Sequence, residues 1–290
     1  MKEITSCPIC QHEKHNLFLE VKDHMITKEL FSIVSCEKCG FHFTNPIPEE
    51  DKIGAYYKSE DYISHSSSSK GFINFLYNIV RNKTLRDKVK WVSNVAKGDD
   101  LLDVGSGTGH FLKVAKKKGF KGFGLEPDPE ARAFAKKTNN ISSYTQEDLY
   151  QLKPSSVDVI TMWHVMEHVY QLNKDIAAMH KVLRPTGHIF VAVPNMGSYD
   201  AQHYESYWAA YDVPRHLYHF KKNDINKLMD KHGFNLKKII PMKYDAFYVS
   251  MLSEKYKGNF SPKGFLTGLK SNLKAKKYGY SSQVYVFEKK

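Results

Sequence analysis

No stretch of this 290-residue chain approaches the run of about 18 apolar residues that a membrane-spanning helix requires. The opening residues, MKEITSCPICQHEKH, lack the apolar core of a secretory signal, so a reducing cytoplasm is the expected compartment. Cysteine is scarce: there are four, and none beyond residue 39. That distribution excludes a disulfide framework across the chain, and clustered cysteines in a reducing compartment serve as metal ligands. Arginine is missing from residues 221–290, where sixteen lysines stand against five acids, so most of the net charge of +12 sits in the last quarter. Without guanidinium forks this segment suits diffuse attraction to phosphates or an anionic surface, or it is simply a solvated lysine-rich face. Hydrophobic content of 41% is ordinary for a soluble chain, and the length allows one large α/β core with a small appendage.

The four cysteines form two CxxC pairs, Cys7 with Cys10 and Cys36 with Cys39. Each pair can aim two thiolates at one ion, and four thiolates make a closed tetrahedral zinc site with no open position for chemistry, hence a structural one. Between the pairs, Leu17–Leu19 and Phe31–Val34 read as short strands of a zinc ribbon too small to hold together without metal. The expected ribbon covers residues 1–45. A connector over 46–70 follows, marked by Pro46, Pro48, several tyrosines and four consecutive serines.

The rest, 71–290, is organised around LLDVGSGTGHF at 101–111. Leu101, Leu102 and Val104 read as a buried strand, and an apolar-periodic helix starts at Phe111. Between them Gly105, Gly107 and Gly109 give a tight turn one residue short of GxGxxG, which favours a phosphate-free adenosyl ligand over a dinucleotide. Glu126 follows a second apolar run at the spacing of a ribose-binding acid. Strands expected at 100–104, 121–126, 141–145, 157–163, 187–193, 234–242 and 281–288 alternate with helices, which implies a doubly wound, mostly parallel sheet with ligands beyond its carboxyl ends. A helix over 72–96 should cap one face, and the long aromatic stretch 194–222 is an insertion that would overhang the ligand.

LLDVGSGTGHF, GFGLEPD, the acid of QEDL, VDVITMWHVMEHV and VLRPTGHIFVAVPN, in this order, resemble the motif series of class I S-adenosylmethionine-dependent methyltransferases. The resemblance implies a seven-stranded Rossmann-like sheet and a donor held by Asp103, Gly105, Gly107, Gly109, Glu126, Asp148, Leu149 and Trp163. The N-terminal CxxCG and FTNPIP resemble the entry of a bacterial group with a zinc ribbon. In that group a tyrosine-rich connector, here Tyr56, Tyr57 and Tyr62, covers the active site. Packing of the ribbon on the main domain is the alternative role for these tyrosines.

At the end of the fourth strand, Glu167 and His168 match the ExxEH of quinone-pathway O-methyltransferases, which binds a divalent metal there, with His164 in place of the first glutamate. RHLYHF resembles the EHxxxF of sugar C-methyltransferases, which makes His216 the first choice for a catalytic base and His168 the second; Arg215 replaces the family glutamate, and His219 is read as structural. The expected activity is methyl transfer to a hydroxyl or activated carbon of a small molecule, with phosphate-bearing or lipid-linked acceptors suiting the basic end. An RNA methyltransferase gripping backbone through ribbon and tail is one rival, weakened because WHVMEH stands where an NPPY-like tetrapeptide would. An inactive donor-binding adaptor is another. Lastly, 263–277 reads as a basic amphipathic helix with Phe265, Leu266, Leu269 and Leu273 on one face, which either packs on its own domain or lies on a membrane surface.

Overall fold

The computed structural model describes residues 1–57, 72–259 and 262–290. Tyr62 and the serine run lie outside them. Three strands, β1 (His15–Lys22), β2 (Leu30–Cys36) and β3 (His42–Thr44), form the antiparallel N-terminal ribbon. The helix α1 (Phe72–Ser93) then leads into β4 (Asp100–Val104), α2 (His110–Lys116), β5 (Lys121–Leu125), α3 (Pro129–Phe134), β6 (Ser143–Tyr144) and β7 (Val157–Trp163). The chain continues through α4 (Leu172–Val182), β8 (Leu183–Pro194), α5 (Tyr199–Tyr204), β9 (Tyr218–His219) and α6 (Lys222–Lys231). It ends with β10 (Phe234–Pro241), α7 (Asp245–Tyr256), α8 (Pro262–Tyr278) and β11 (Ser282–Lys289).

The main sheet has seven strands in the order β10-β11-β8-β7-β4-β5-β6, parallel except for β11, which runs antiparallel to both neighbours. Its strands are apolar on both sides because both faces are covered. On one face Val89 and Val92 of α1 and Phe111 and Leu112 of α2 pack on Val159, Phe190 and Val284. On the other, Ile176 and Met179 of α4 and Ile225 and Leu228 of α6 pack on Val104, Ile160 and Val191.

The ribbon shares that second core. Phe41, Phe43 and Ile47 belong to the same buried cluster as Leu217, Tyr218 and Phe220. The fourth strand of the small sheet is β9, which comes from the 194–222 insertion and pairs antiparallel with β3. The seam is stitched by Thr44, whose amide donates to Leu217 O at 2.9 Å and whose hydroxyl donates to His216 O at 2.8 Å. Each fully buried Phe here contributes roughly 1.5–3 kcal/mol of apolar burial, which fastens the ribbon to the insertion.

The structure departs from sequence expectation in α7 and α8. The helix α7 was not anticipated, and α8 faces the opposite way from the packing arrangement considered above. Gly264, Thr267, Gly268, Ser271 and Ala275 are buried against α7 and α5, whereas Phe265, Leu266, Leu269 and Leu273 are exposed. Close approach of two helices selects small residues at the contact, and at Gly268 a methyl group would lie 2.7 Å from Ala246 O. Ser271 adds a specific tie by donating to the buried Asp200 of α5 at 2.6 Å.

Candidate active site

The glycine turn sits between β4 and α2. Amides of Gly105 and Ser106 both donate to Leu125 O, at 2.7 and 2.9 Å, so the turn is folded back onto the end of β5. Gly105 and Gly107 have φ of 69° and 51°, where a Cβ is strained. The two serve different ends. A Cβ on Gly105 would collide with Val165, whereas nothing lies within 4 Å of one on Gly107, which borders open space on the ligand side.

Glu126 stands at the rim of that space. Its carboxylate accepts from the amides of Gly107 at 2.7 Å and Asp128 at 3.0 Å, and burial nevertheless raises its pKa. Asp103 lies deeper and accepts from the Thr161 hydroxyl at 2.6 Å; burial pushes it up to about 7, against the opposing effects of that bond and of Lys88. Asp148 caps a short helical turn, its Oδ2 accepting from Thr145 N and Oγ1, and Leu149 beside it is buried. Trp163 closes the end of β7 with its indole edge against Phe111, Lys88 over its ring at 4.5 Å, and a buried Nε1 donor that has no partner. An open cradle at Gly107 and an orphaned indole N–H are what an adenosyl ligand's site would present. The residues fit such a donor.

Beyond β7 the chain turns at His164, whose φ of 60° aims its ring outward between two carboxylates. Nδ1 lies 3.3 Å from Glu167 and Nε2 lies 3.2 Å from Asp245 at the start of α7. Burial opposes a charge on this ring, but the two carboxylates win and raise its pKa to about 9. His164 therefore faces Asp245 and not the His168 side.

The third member of the buried cluster is His216. Ligand atoms of Glu167, His168 and His216 all lie within 4.8 Å of one another, and the two imidazoles meet edge to face at 4.5 Å. His168 Nδ1 is 3.0 Å from Arg215 O and from Tyr57 Oη, and His216 Nδ1 is 2.8 Å from Ala210 O. In the neutral ring, donation from Nδ1 to those carbonyls leaves the lone pair on Nε2, which in His216 stands 3.9 Å from Asp212 Oδ2. Burial, with the neighbouring His216, pushes His168 down to about 4. Glu167 is held below the ordinary carboxylate range, because His164, His216 and His168 outweigh its burial, and its Oε2 has no hydrogen-bond partner among the described residues. A carboxylate and two imidazoles with ligand atoms this close are a donor set that fits a divalent cation.

Arg215 holds the cluster in place. Its guanidinium donates to Asp212 Oδ1 at 2.7 Å, to Asp23 Oδ1 of the ribbon at 3.0 Å and to Tyr56 O at 2.8 Å. The expected tyrosine cover divides accordingly. Tyr57 reaches His168, but Tyr56 packs on Phe31 and donates to Glu29, as a ribbon-packing residue would. His219 is buried with Nε2 3.0 Å from Thr44 Oγ1. Asp245 and the anchoring role of Arg215 had no local signal in the sequence, since their partners lie 81 and 192 positions away.

At the far end of the ribbon all four thiols lie within 4.8 Å of one another, with Cys7 to Cys39 and Cys10 to Cys36 at 3.5 Å. Sulfurs around tetrahedral zinc stand about 3.8 Å apart, so the cluster is compatible with that ion.

Comparisons with known proteins agree with this geometry. A family model described as a methyltransferase domain matches residues 77–239. The ubiquinone biosynthesis O-methyltransferase of Photobacterium profundum is 33% identical over 105 residues, 34% of this chain and 45% of that protein. That of Pseudomonas syringae pv. tomato is 26% identical over 174 residues, 54% of this chain and 75% of the relative. The first relative is therefore matched over less than half its length. In fold, the chain is similar to an S-adenosylmethionine-dependent methyltransferase from Archaeoglobus fulgidus, with a TM-score of 0.52, 17% identity and coverage of 72% of this chain and 94% of that one. A methyltransferase structure from Thermotoga maritima gives 0.52, 19%, 76% and 96%. The family model spans more than half of the sequence, and the protein belongs to the methyltransferase-domain family, with the class I S-adenosylmethionine-dependent fold.

Proposed function

We propose that the protein transfers a methyl group from S-adenosylmethionine to a hydroxyl group of a small molecule. The observation that carries this reading is the Glu167–His168–His216 cluster at the carboxyl end of the sheet, whose ligand atoms lie within 4.8 Å of one another and whose imidazole Nδ1 atoms are each tied to a backbone carbonyl. A hydroxyl acceptor needs its proton removed as the methyl arrives, and an imidazole lone pair in a water-poor pocket can take it. Similarity to the ubiquinone biosynthesis O-methyltransferases favours oxygen over carbon as the acceptor atom.

In this reading the bound donor supplies an electrophilic sulfonium methyl. Gly105, Gly107 and Gly109 shape its bed, Glu126 accepts from its ribose hydroxyls, and Asp103, Asp148, Leu149 and Trp163 line the remainder. His216 takes the acceptor proton, and Glu167, already ionised, stabilises the imidazolium that results. The hydrogen bond from His216 Nδ1 to Ala210 O keeps that imidazole from rotating away. Calorimetry with S-adenosylmethionine tests the donor half: Glu126→Ala is expected to lose about 1–3 kcal/mol of binding, the worth of a hydrogen bond to a charged group. Equal affinity for variant and wild type would remove Glu126 from the site.

A second reading rests on the unpartnered Glu167 Oε2. Glu167, His168 and His216 would hold a divalent cation, which supplies a positive charge that lowers the pKa of an acceptor hydroxyl. His164, counted with the metal from sequence, has both ring nitrogens engaged, by Glu167 and by Asp245. Methyl transfer assayed with and without a chelator and added Mg²⁺, Mn²⁺ or Zn²⁺ separates the two. Metal-independent turnover supports His216 as the free base.

For the ribbon we take Cys7, Cys10, Cys36 and Cys39 as ligands of one structural zinc. Metal analysis of protein purified without chelators is expected to give about one zinc per chain. Less than about half an equivalent would count against it. Stripping the metal is expected to lower the melting temperature, because zinc bound only by the folded ribbon adds its binding energy to folding.

A further inference from the structure

The outer face of α8 is built the wrong way round for a helix that serves only its own domain. The residues it buries against α7 and α5 are Gly264, Thr267, Gly268, Ser271 and Ala275, so apart from a stack of Phe265 on Phe247 its inward packing uses small side chains. The large apolar side chains point outward: Leu273 is 75% exposed, Leu266 58%, Phe265 52% and Leu269 43%. At helical spacing Leu266, Leu269 and Leu273 form one stripe opposite the buried glycines. Exposed lysines border it at 263, 270, 274, 276 and 277, and the helix contains no acid. Beside the stripe Phe265 stacks on Phe247 of α7, and the exposed rings of Tyr244 and Tyr248, one turn apart, extend the same surface.

From this arrangement we infer that α8 docks the protein on an anionic lipid bilayer. Leucines at the centre and lysines at the rim match acyl chains below and anionic headgroups around them, the pairing that holds an amphipathic helix in the plane of a membrane. Tyrosines at the edge suit the headgroup level. A second copy of the chain is a poorer occupant, because a two-fold contact through this stripe would set one lysine rim against another. Because β10 runs parallel to β8, the α7–α8 pair stands at the carboxyl end of the sheet, and Asp245 at the start of α7 touches His164. The docking face thus lies on the same side of the sheet as the site. The inference concerns this surface alone and stands whichever hydroxyl compound is the acceptor.

The test is flotation of the purified full chain with vesicles of phosphatidylcholine alone or of phosphatidylcholine with phosphatidylglycerol, together with its oligomeric state in solution. The protein is expected to float with the anionic vesicles and to be released by salt. Leu266→Ser with Leu273→Ser should weaken partitioning by about tenfold per leucine, from the loss of apolar burial. Lys270→Gln with Lys276→Gln should weaken it by about fivefold per lysine on the anionic vesicles only. All four side chains are exposed, and unchanged S-adenosylmethionine affinity would verify that the variants fold and keep the donor site. Failure to float on anionic vesicles, or equal flotation by the leucine variant, overturns the inference. So does a stable wild-type dimer that the leucine substitutions convert to monomer, since a second copy would then cover the stripe.

Discussion

His216→Asn is expected to keep S-adenosylmethionine affinity near that of the wild type while lowering turnover by roughly 10²- to 10⁴-fold, the usual contribution of a general base. Asparagine preserves a polar side chain of similar reach, and its amide can still donate toward Ala210 O, so the loop geometry should survive. It has no lone pair basic enough to take a proton. Steady-state methyl transfer by wild type, His216→Asn and His168→Asn in parallel reads the outcome. A rise in acceptor KM with unchanged kcat would make His216 a binding residue. Near-normal turnover in the His216 variant and collapse in the His168 variant would move the base to the other imidazole. If the cation reading holds instead, both variants should also lose metal affinity, which calorimetry with Mn²⁺ detects without any acceptor.

Arg215→Ala should be the most destabilising of the single substitutions considered. The guanidinium side chain is 2% exposed and lies against Asp23 at 0% and Asp212 at 22%. Removing it strands two carboxylates and the Tyr56 carbonyl, and breaking such a buried pair costs about 3–5 kcal/mol. Arg215→Lys should restore only part of this, since an ammonium cannot bridge three acceptors in one plane. Denaturant melts of the three proteins provide the measurement, and equal midpoints for wild type and Arg215→Ala would refute the cage. Acid should act in the same direction. Burial alone would raise both aspartates, but Arg215 holds them below their ordinary value of 3.8. Their contribution is therefore present above that pH and is lost as the pH falls through their lowered values.

The main sheet was readable because its signals are local. Leu101, Leu102 and Val104 are apolar in succession since both faces of a parallel strand are buried, and the glycines after them are required where the turn folds onto β5. The cysteine cluster was readable for the same reason, each CxxC pair being a local turn, and the four thiols do come together as a zinc ion would require. What was hidden depended on residues far apart. Two residues, Tyr218 and His219, form a strand only because Thr44 and Phe43 are there to receive them. The Arg215 cage draws on residues 23, 56 and 212, and the proposed catalytic cluster on 167, 168 and 216. The helix α8 misled through its composition, because leucine at helical spacing normally marks the inward face and here marks the outward one.

The pairing of β3 with β9 sets an order of assembly. Thr44 leaves the ribosome long before His216 and His219, its partners 172 and 175 positions later. During synthesis, therefore, the early module can close its first hairpin, but one edge of its sheet stays open until five of the seven strands of the main sheet have been made. An open edge is a hazard in a nascent chain, and contacts this distant in sequence are the slow ones to form. In this protein the late strand that closes the edge also brings His216 beside His168. The proposed catalytic pair is thus brought together in the same step that covers the exposed edge, and a chain stalled short of residue 216 achieves neither.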